Sequence, residues 1–243
     1  MTIRLYLDHP LSAGQPITLD RAQAHYLFNV MRMGQGAQIA VFNGSDGEWA
    51  AEISDAGKRG GAVTCLSQTR PQLNPPDLWL LFAPIKKART DFIVEKATEL
   101  GAARISPVTT DYTNSERVRV DRLAAHAIEA AEQCGGTYVP TVAEPQKLSQ
   151  LLRDWDPARR ILFCDETQTD AHTVFASLPK GPWAILIGPE GGFSDAERRN
   201  LVSLDFVHRA SLGPRILRAD TAAVAALTLW QATQGDWVGA PAP

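Results

Sequence analysis

Residues 183–187 form a short, wholly apolar run (WAILI) that meets a helix start through the turn Gly188-Pro189-Glu190-Gly191-Gly192-Phe193. The run reads as a central strand, and Ser194 with Glu197 three positions on forms a capping box, so a glycine-rich strand-to-helix turn is built into the chain. Glycine permits positive φ and lets a ligand approach the backbone, and in α/β sheets such turns are where a cofactor meets the strand ends. A tight connection without a ligand is the plainer alternative, because glycine serves ordinary turns equally well. No GxxxxGK[ST] or GxGxxG pattern is present, a lysine for phosphates is missing, and Glu190 would repel a pyrophosphate held at the helix N-terminus. A cofactor free of phosphate is the expectation.

A second segment, Leu212-Gly213-Pro214-Arg215-Ile216-Leu217-Arg218-Ala219-Asp220-Thr221, follows another strand candidate, Phe206 to Ala210. Ile216 and Leu217, set between two arginines, need cover from the core or from a flat ligand such as adenine. The helix expected over Asp220 to Gln234 is apolar on most sides and reads as core or as a subunit interface.

Upstream, strand-like segments fall at Ile3 to Leu7, Gln38 to Asn43, Glu48 to Ile53 and Gly61 to Ser67, with one helix among them. Turns at Asn43 to Gly47 and Gly57 to Gly61 make a small β-rich barrel the expectation. The proline-rich stretch Pro71 to Pro76 marks a boundary near residue 72, beyond which strands and helices alternate. The strand Leu78 to Phe82 leads to a helix Ala88 to Leu100, closed by Gly101, with Phe92, Ile93, Ala97 and Leu100 on its apolar side. Arg104 to Val108, Arg122 to Cys134 and Ile161 to Cys164 continue the pattern. It predicts a mostly parallel sheet covered on both faces, with ligands at the carboxyl ends of its strands.

With 243 residues, 44% hydrophobic and 21% charged, the chain can bury a proper core in one or two domains. It has no run of about 18 apolar residues, and charges stand in MTIRLYLDHP where a signal peptide needs an apolar stretch, so a cytoplasmic location without a membrane is expected. Cys65, Cys134 and Cys164 are odd in number and lack a CxxC, which argues against disulfides and a zinc site and for buried free thiols. His25, His126, His172 and His208 form no metal pair and are given no chemistry. A net charge of −3 offers no general affinity for RNA. Local clusters exist, Lys86, Lys87 and Arg89 above all, for which solvated surface is the plainer reading.

GPEGGFS and LGPRILRADTA, together with DFIVEKATELGA, EAAEQCGGTYVP and HYLFNVMRMGQG, resemble the RsmE family of 16S rRNA uracil-N3 methyltransferases, which belong to the knotted SPOUT class. The resemblance implies a PUA-like, RNA-binding β-barrel over residues 1–72 and a SPOUT α/β domain over 73–243 with a trefoil knot near the C-terminus. It also implies a homodimer, 16S rRNA of the small ribosomal subunit as partner, S-adenosylmethionine as cofactor, and no metal. By motif, the cofactor contacts are Ile187, Gly188, Pro189, Gly191, Gly192, Leu212, Gly213, Ile216, Leu217 and Thr221. RNA contacts are assigned to Arg32, Lys86, Lys87 and Arg215.

Methylation of uridine N3 needs a base to remove its proton and a donor to steady the charge left on the carbonyl oxygens. Arg218 is the candidate donor. Glu190, ahead of Asp220, is the candidate base, with a structural hydrogen bond as the alternative for each. Two positions depart from the family pattern: Asp220 replaces the glutamate of LRxETA, and Gly136 replaces the arginine of EQCGR, removing a cation that could hold RNA phosphate or a helix end. Retention of Gly188, Gly191, Gly192 and Gly213 favours an enzyme over a silent RNA-binding protein, while a knotted tRNA or ribose methyltransferase is the nearer rival. A Gly188→Val change is expected to abolish cofactor binding and leave the fold intact.

Overall fold

The computed structural model describes residues 2–57, 60–114, 118–165, 175 and 177–237; His172 lies outside them. The chain forms two compact units, one of Met1–Asn74 with Ala131–Val139, the other of Pro75–Ala130 with Pro140–Pro243.

The first unit holds β1 (Arg4–Tyr6), β2 (Pro16–Leu19), α1 (Arg21–His25), a π-helical turn (Tyr26–Val30), β3 (Gln38–Phe42), β4 (Glu48–Gly57) and β5 (Gly60–Arg70). They form a mixed sheet in the order β1-β3-β4-β5-β2, parallel only between β1 and β3. Alternation puts Ile17, Leu19, Ile39, Val41, Ala51, Ile53, Val63 and Cys65 into one core with Leu5, Leu7 and Leu27. Strand β2 was not foreseen. It is four residues long and starts on a proline, which an end strand tolerates because its outer N–H needs no partner. Gly47 is obligatory in the hairpin loop: its φ is +75° and a Cβ there would stand 2.3 Å from the Arg70 carbonyl oxygen.

A charged knot closes this unit. Glu48, 8% exposed, accepts from Arg4 Nε at 2.7 Å and from Arg70 Nη2 at 2.5 Å. Arg4 Nη1 also donates to the carbonyls of Ala131 (2.6 Å) and Glu132 (2.9 Å), its Nη2 to Gly136 (2.8 Å), and Arg70 Nη2 to Gly135 (2.9 Å). These carbonyls lie at the end of α3 (Val120–Cys134), where intrahelical donors run out. Arg4 and Arg70 therefore supply that helix end with the positive charge that Gly136 lacks.

The second unit continues with β6 (Leu78–Phe82), α2 (Lys87–Glu99), β7 (Arg104–Thr109), β8 (Thr141–Val142), β9 (Gln146–Lys147), α4 (Leu148–Arg153), β10 (Arg160–Cys164), β11 (Trp183–Ile187), α5 (Asp195–Val202), β12 (Val207–Ala210) and α6 (Ala219–Thr233). Its sheet runs β12-β10-β11-β6-β7-β8, with β9 also on β7, and every pairing is parallel. Every residue of β11 is buried, as covering both faces of a parallel sheet requires. Ala184 and Leu186 pack with Phe193, Leu201, Leu148 and Leu152 on one face, while α6 packs on β11 and α2. From β11 the chain crosses β10 to reach the sheet end at β12, then returns to the middle as α6. Two loops thus leave the carboxyl edge of the sheet only one strand apart.

Two side-chain expectations are corrected. Phe92 is 39% exposed, because α2 turns Ile93, Val94 and Ala97 inward together with Thr90 and Thr98, whose hydroxyls donate to the carbonyls of Ile85 (3.0 Å) and Val94 (2.9 Å). All three cysteines are free, but Cys134 is exposed in the last turn of α3 while Cys65 is buried. Gly101, at φ +73°, follows α2 as expected.

Burial alone would raise the Glu48 carboxyl, but hydrogen bonds from Arg70 and Arg4 outweigh it and hold it below the ordinary carboxylate range. Its folded pKa is thus the lower one, so its contribution is fully present above the unfolded value and fades as pH falls through the folded one. Thermal unfolding across acid pH should show this loss, and Glu48→Gln, at a cost of about 1–3 kcal/mol near neutrality, should flatten the acid limb.

Candidate active site

The turn after β11 is closed by Gly192 N donating to Pro189 O at 2.9 Å, and Gly192, at φ +70°, is its left-handed residue. Ser194 N donates to Glu197 Oε2 (2.9 Å) and Glu197 N to Ser194 Oγ (3.2 Å), the expected capping box. Phe193 turns inward onto Phe163, with ring centroids 5.0 Å apart. Gly188 is needed for that ring: a Cβ at 188 would lie 2.5 Å from Phe193 Cε2. The expectation that Gly188→Val spares the fold is therefore corrected, since the valine would strike core before it met a ligand.

In the second loop the buried Ser211 accepts from Gly213 N at 3.1 Å. Gly213 has φ +111°, and no heavy atom stands within 4 Å of where its Cβ would be, so the backbone there is bare and faces open space. Ile216 is 86% exposed, an aliphatic side chain lacking the cover it needs. Arg218 is the N-cap residue of α6, with an extended backbone and no side-chain cap bond.

The loops face each other across a cavity of about 300 Å³. Ile187, Gly188, Pro189, Glu190, Gly191, Gly192, Leu212, Gly213, Arg215, Ile216, Leu217 and Arg218 all line it, with Cys164, Asp165, Phe193, Ala219 and Ala222. Of the remaining candidates, Asp220 stands to one side and Thr221 is exposed, its N–H donating to Asp220 Oδ1 at 2.9 Å. Lys86 and Lys87 line a second cavity of about 560 Å³ with Asn114, Arg119 and Arg122. Arg32 is exposed in the N-terminal unit at φ +54°, a conformation rare outside glycine.

Three residues not assigned from the sequence shape the site. Arg89, in the first turn of α2, donates from Nη1 to Glu190 Oε1 at 3.0 Å and holds Nε 3.8 Å from Asp220 Oδ2, so both candidate carboxylates share one guanidinium. Asp165, 2% exposed at the end of β10, accepts from Arg198 Nη1 (2.6 Å) and from Arg209 Nη2 (2.8 Å). Tyr112 lies against Gly191, its Cβ 3.3 Å from where a Cβ at 191 would be. The KKAR run hinted at Arg89; the other two gave no local signal, because their partners are far away in sequence.

Burial pushes the Cys164 thiol up to about 12, so at neutral pH it is a protonated wall and not a nucleophile. Burial, with the nearby Arg160 charge, pushes His208 down, and its ring packs edge-on against Trp183. Among the described residues no group of three or more His, Cys, Asp and Glu could hold a metal. Bare glycine backbone and an exposed aliphatic lip suit a flat ligand, and the volume lies at the lower end of the roughly 300–1,000 Å³ usual for small-molecule sites. Gly188→Val should therefore cost about 1–3 kcal/mol through overpacking against Phe193, read in urea unfolding. Unchanged stability would contradict the packing described.

A model of the RNA methyltransferase domain matches residues 72–231, and one of the RNA methyltransferase PUA domain matches residues 19–64. The chain is 30% identical over 228 residues to the ribosomal RNA small subunit methyltransferase E of Rickettsia conorii, covering 92% of this chain and 93% of that one. It is 32% identical over 223 residues to the enzyme of the same name from Bacillus subtilis, covering 85% and 86%. Among solved structures it is similar to the small subunit methyltransferase E of Neisseria gonorrhoeae bound to S-adenosylmethionine, at 27% identity and a TM-score of 0.88, over 98% of this chain and 100% of that one. A Legionella pneumophila methyltransferase with S-adenosylmethionine bound matches at 31% identity and TM-score 0.88, over 97% and 99%. The mixed sheet is thus a PUA-like unit and the parallel sheet a SPOUT methyltransferase unit, and the chain belongs to the ribosomal RNA small subunit methyltransferase E family, RsmE.

Proposed function

We propose that this chain methylates N3 of a uridine in 16S rRNA of the small ribosomal subunit, with S-adenosylmethionine as donor. The observation that carries the reading is the single cavity lined by both glycine loops, in a fold whose relatives from Neisseria and Legionella hold that cofactor. Backbone groups of Gly188, Gly191, Leu212 and Leu217 would recognise adenine, and Ile216 with Leu217 would cover its face. When bound, the cofactor supplies an electrophilic methyl group on a sulfonium centre.

The chain's own task is to hold the uridine, take its N3 proton and exclude water. Glu190 is the better base. Its side chain is 50% exposed at the cavity wall, whereas Asp220 is 19% exposed and accepts from an N–H of its own helix. Arg89 orients Glu190 and balances the two carboxylates. Arg218, which lines the same cavity, would steady charge on a pyrimidine carbonyl oxygen as the proton leaves.

In this reading residues 1–72 serve as the RNA-binding domain and 73–243 as the methyltransferase domain. Arg32, Lys86, Lys87 and Arg215 would contact RNA, the apolar α6 would serve a homodimer, and the protein would work in the cytoplasm. Among the described residues no helix is long and apolar enough to cross a membrane.

Small subunits from cells lacking this protein, incubated with the chain and methyl-labelled cofactor, should gain label in 3-methyluridine. Label in a 2′-O-methyl nucleoside would overturn the base-directed reading. Glu190→Gln should lower kcat by about 10²-fold or more with cofactor affinity unchanged, and Arg89→Ala should lower kcat less.

A further inference from the structure

Tyr112 stands at the tip of the turn that follows β7. The turn is closed from within: Thr113 N donates to Thr110 O at 3.1 Å and Thr110 N to Thr113 Oγ1 at 2.8 Å. It is also tied from outside to the start of α5, where Ser194 Oγ donates to Asp111 Oδ2 at 2.5 Å and Asp111 N to Glu197 Oε1 at 2.9 Å. The capping box of the cofactor turn therefore has a second role, as the anchor of this loop.

Held this firmly, Tyr112 still leaves 53% of itself to solvent, and its hydroxyl bonds to no described residue. One edge of the side chain lies on Gly191, which lines the cavity beside Glu190 and its partner Arg89. Here a pinned backbone holds a half-exposed ring against Gly191, a residue of the cavity wall that directly follows the carboxylate assigned as base. Asn114, two residues on from Tyr112, lines a second cavity with Lys86, Lys87, Arg119 and Arg122, which offers positive charge for a polyanion.

We propose that Tyr112 is a stacking platform for the unpaired target base of the RNA. A base whose N3 is to be methylated must leave its pair and its stack, because N3 lies on the Watson–Crick edge. An aromatic face at the cavity mouth replaces the lost stacking and sets the ring edge toward Glu190. The inference rests on the proposed function and deepens it.

The test uses the full-length chain on small subunits that lack the mark, measuring KM for the subunit, kcat, and cofactor affinity by calorimetry. Tyr112→Ala should raise KM or lower kcat/KM by about tenfold or more, with cofactor affinity within about twofold of the parent. Tyr112→Phe, which keeps the ring and drops the hydroxyl, should stay within about threefold. Tyr112→Leu, of similar bulk but without a π face, should behave as the alanine variant does. Parental kinetics in the alanine or leucine variant would overturn the proposal, as would a parallel loss of cofactor affinity, which would make Tyr112 a prop for the glycine turn. A parent chain that deposits no label would remove the functional reading, and this inference with it. Parental kinetics in the variants of an active parent would remove this inference alone.

Discussion

The site depends on one buried carboxylate. Asp165 directly follows β10, the strand that the chain crosses on its way from β11 to β12, and at 2% exposure its charge can persist only if paired. Arg198 reaches it from α5, the helix that the first glycine turn opens, and Arg209 reaches it from β12, the strand that leads into the second loop. The two loops have no reason of their own to stay together, since each is mostly glycine, proline and exposed side chains. Tied to the same carboxylate, they form opposite walls of a single cavity.

That arrangement separates rigid from exposed parts in a way that suits group transfer. The floor is buried core: Ile187, Phe193 on Phe163, and a Cys164 thiol kept protonated by burial. The rim is charged and accessible, with Arg89 between Glu190 and Asp220, Arg218 at the head of α6, and Tyr112 over Gly191. In the proposed reaction the polar groups at the rim would stabilise charge where it develops, while the bare backbone of Gly213 leaves open space beside it. The shortened carboxylate at Asp220 fits the same picture. It accepts from the Thr221 N–H in the first turn of its own helix and shares Arg89 with Glu190 of the facing loop.

The sequence was most readable where burial is complete. Strands β6 and β11 have the expected bounds because an unbroken apolar run has one use in a parallel sheet. The capping box at Ser194 and the glycine after α2 are local chemistry and read equally well. Short elements escaped: β8 and β9 have two residues each, and α4, which starts at Leu148, has Lys147 as its N-cap residue without a side-chain cap bond to announce it. Arg89, Asp165 and Tyr112 escaped for another reason. Their partners lie dozens of positions away, and no spacing rule connects Arg89 with Glu190. Gly188 has a second reason to be glycine that only the fold reveals: besides lining the cavity, it leaves room for the Phe193 ring. The missing arginine at 136 was legible as a loss, but its replacement by Arg4 and Arg70 required the fold.

Whether the two loops make one cofactor site is decided by calorimetric titration of the full-length chain with S-adenosylmethionine. Saturable binding is expected, and a Gly213→Val chain that remains folded by circular dichroism should lose it, because valine cannot easily hold φ +111° and its side chain would enter the open space the ligand needs. A folded parent chain that gives no heat of binding, or a folded Gly213→Val chain that binds as the parent does, would contradict a shared cofactor site.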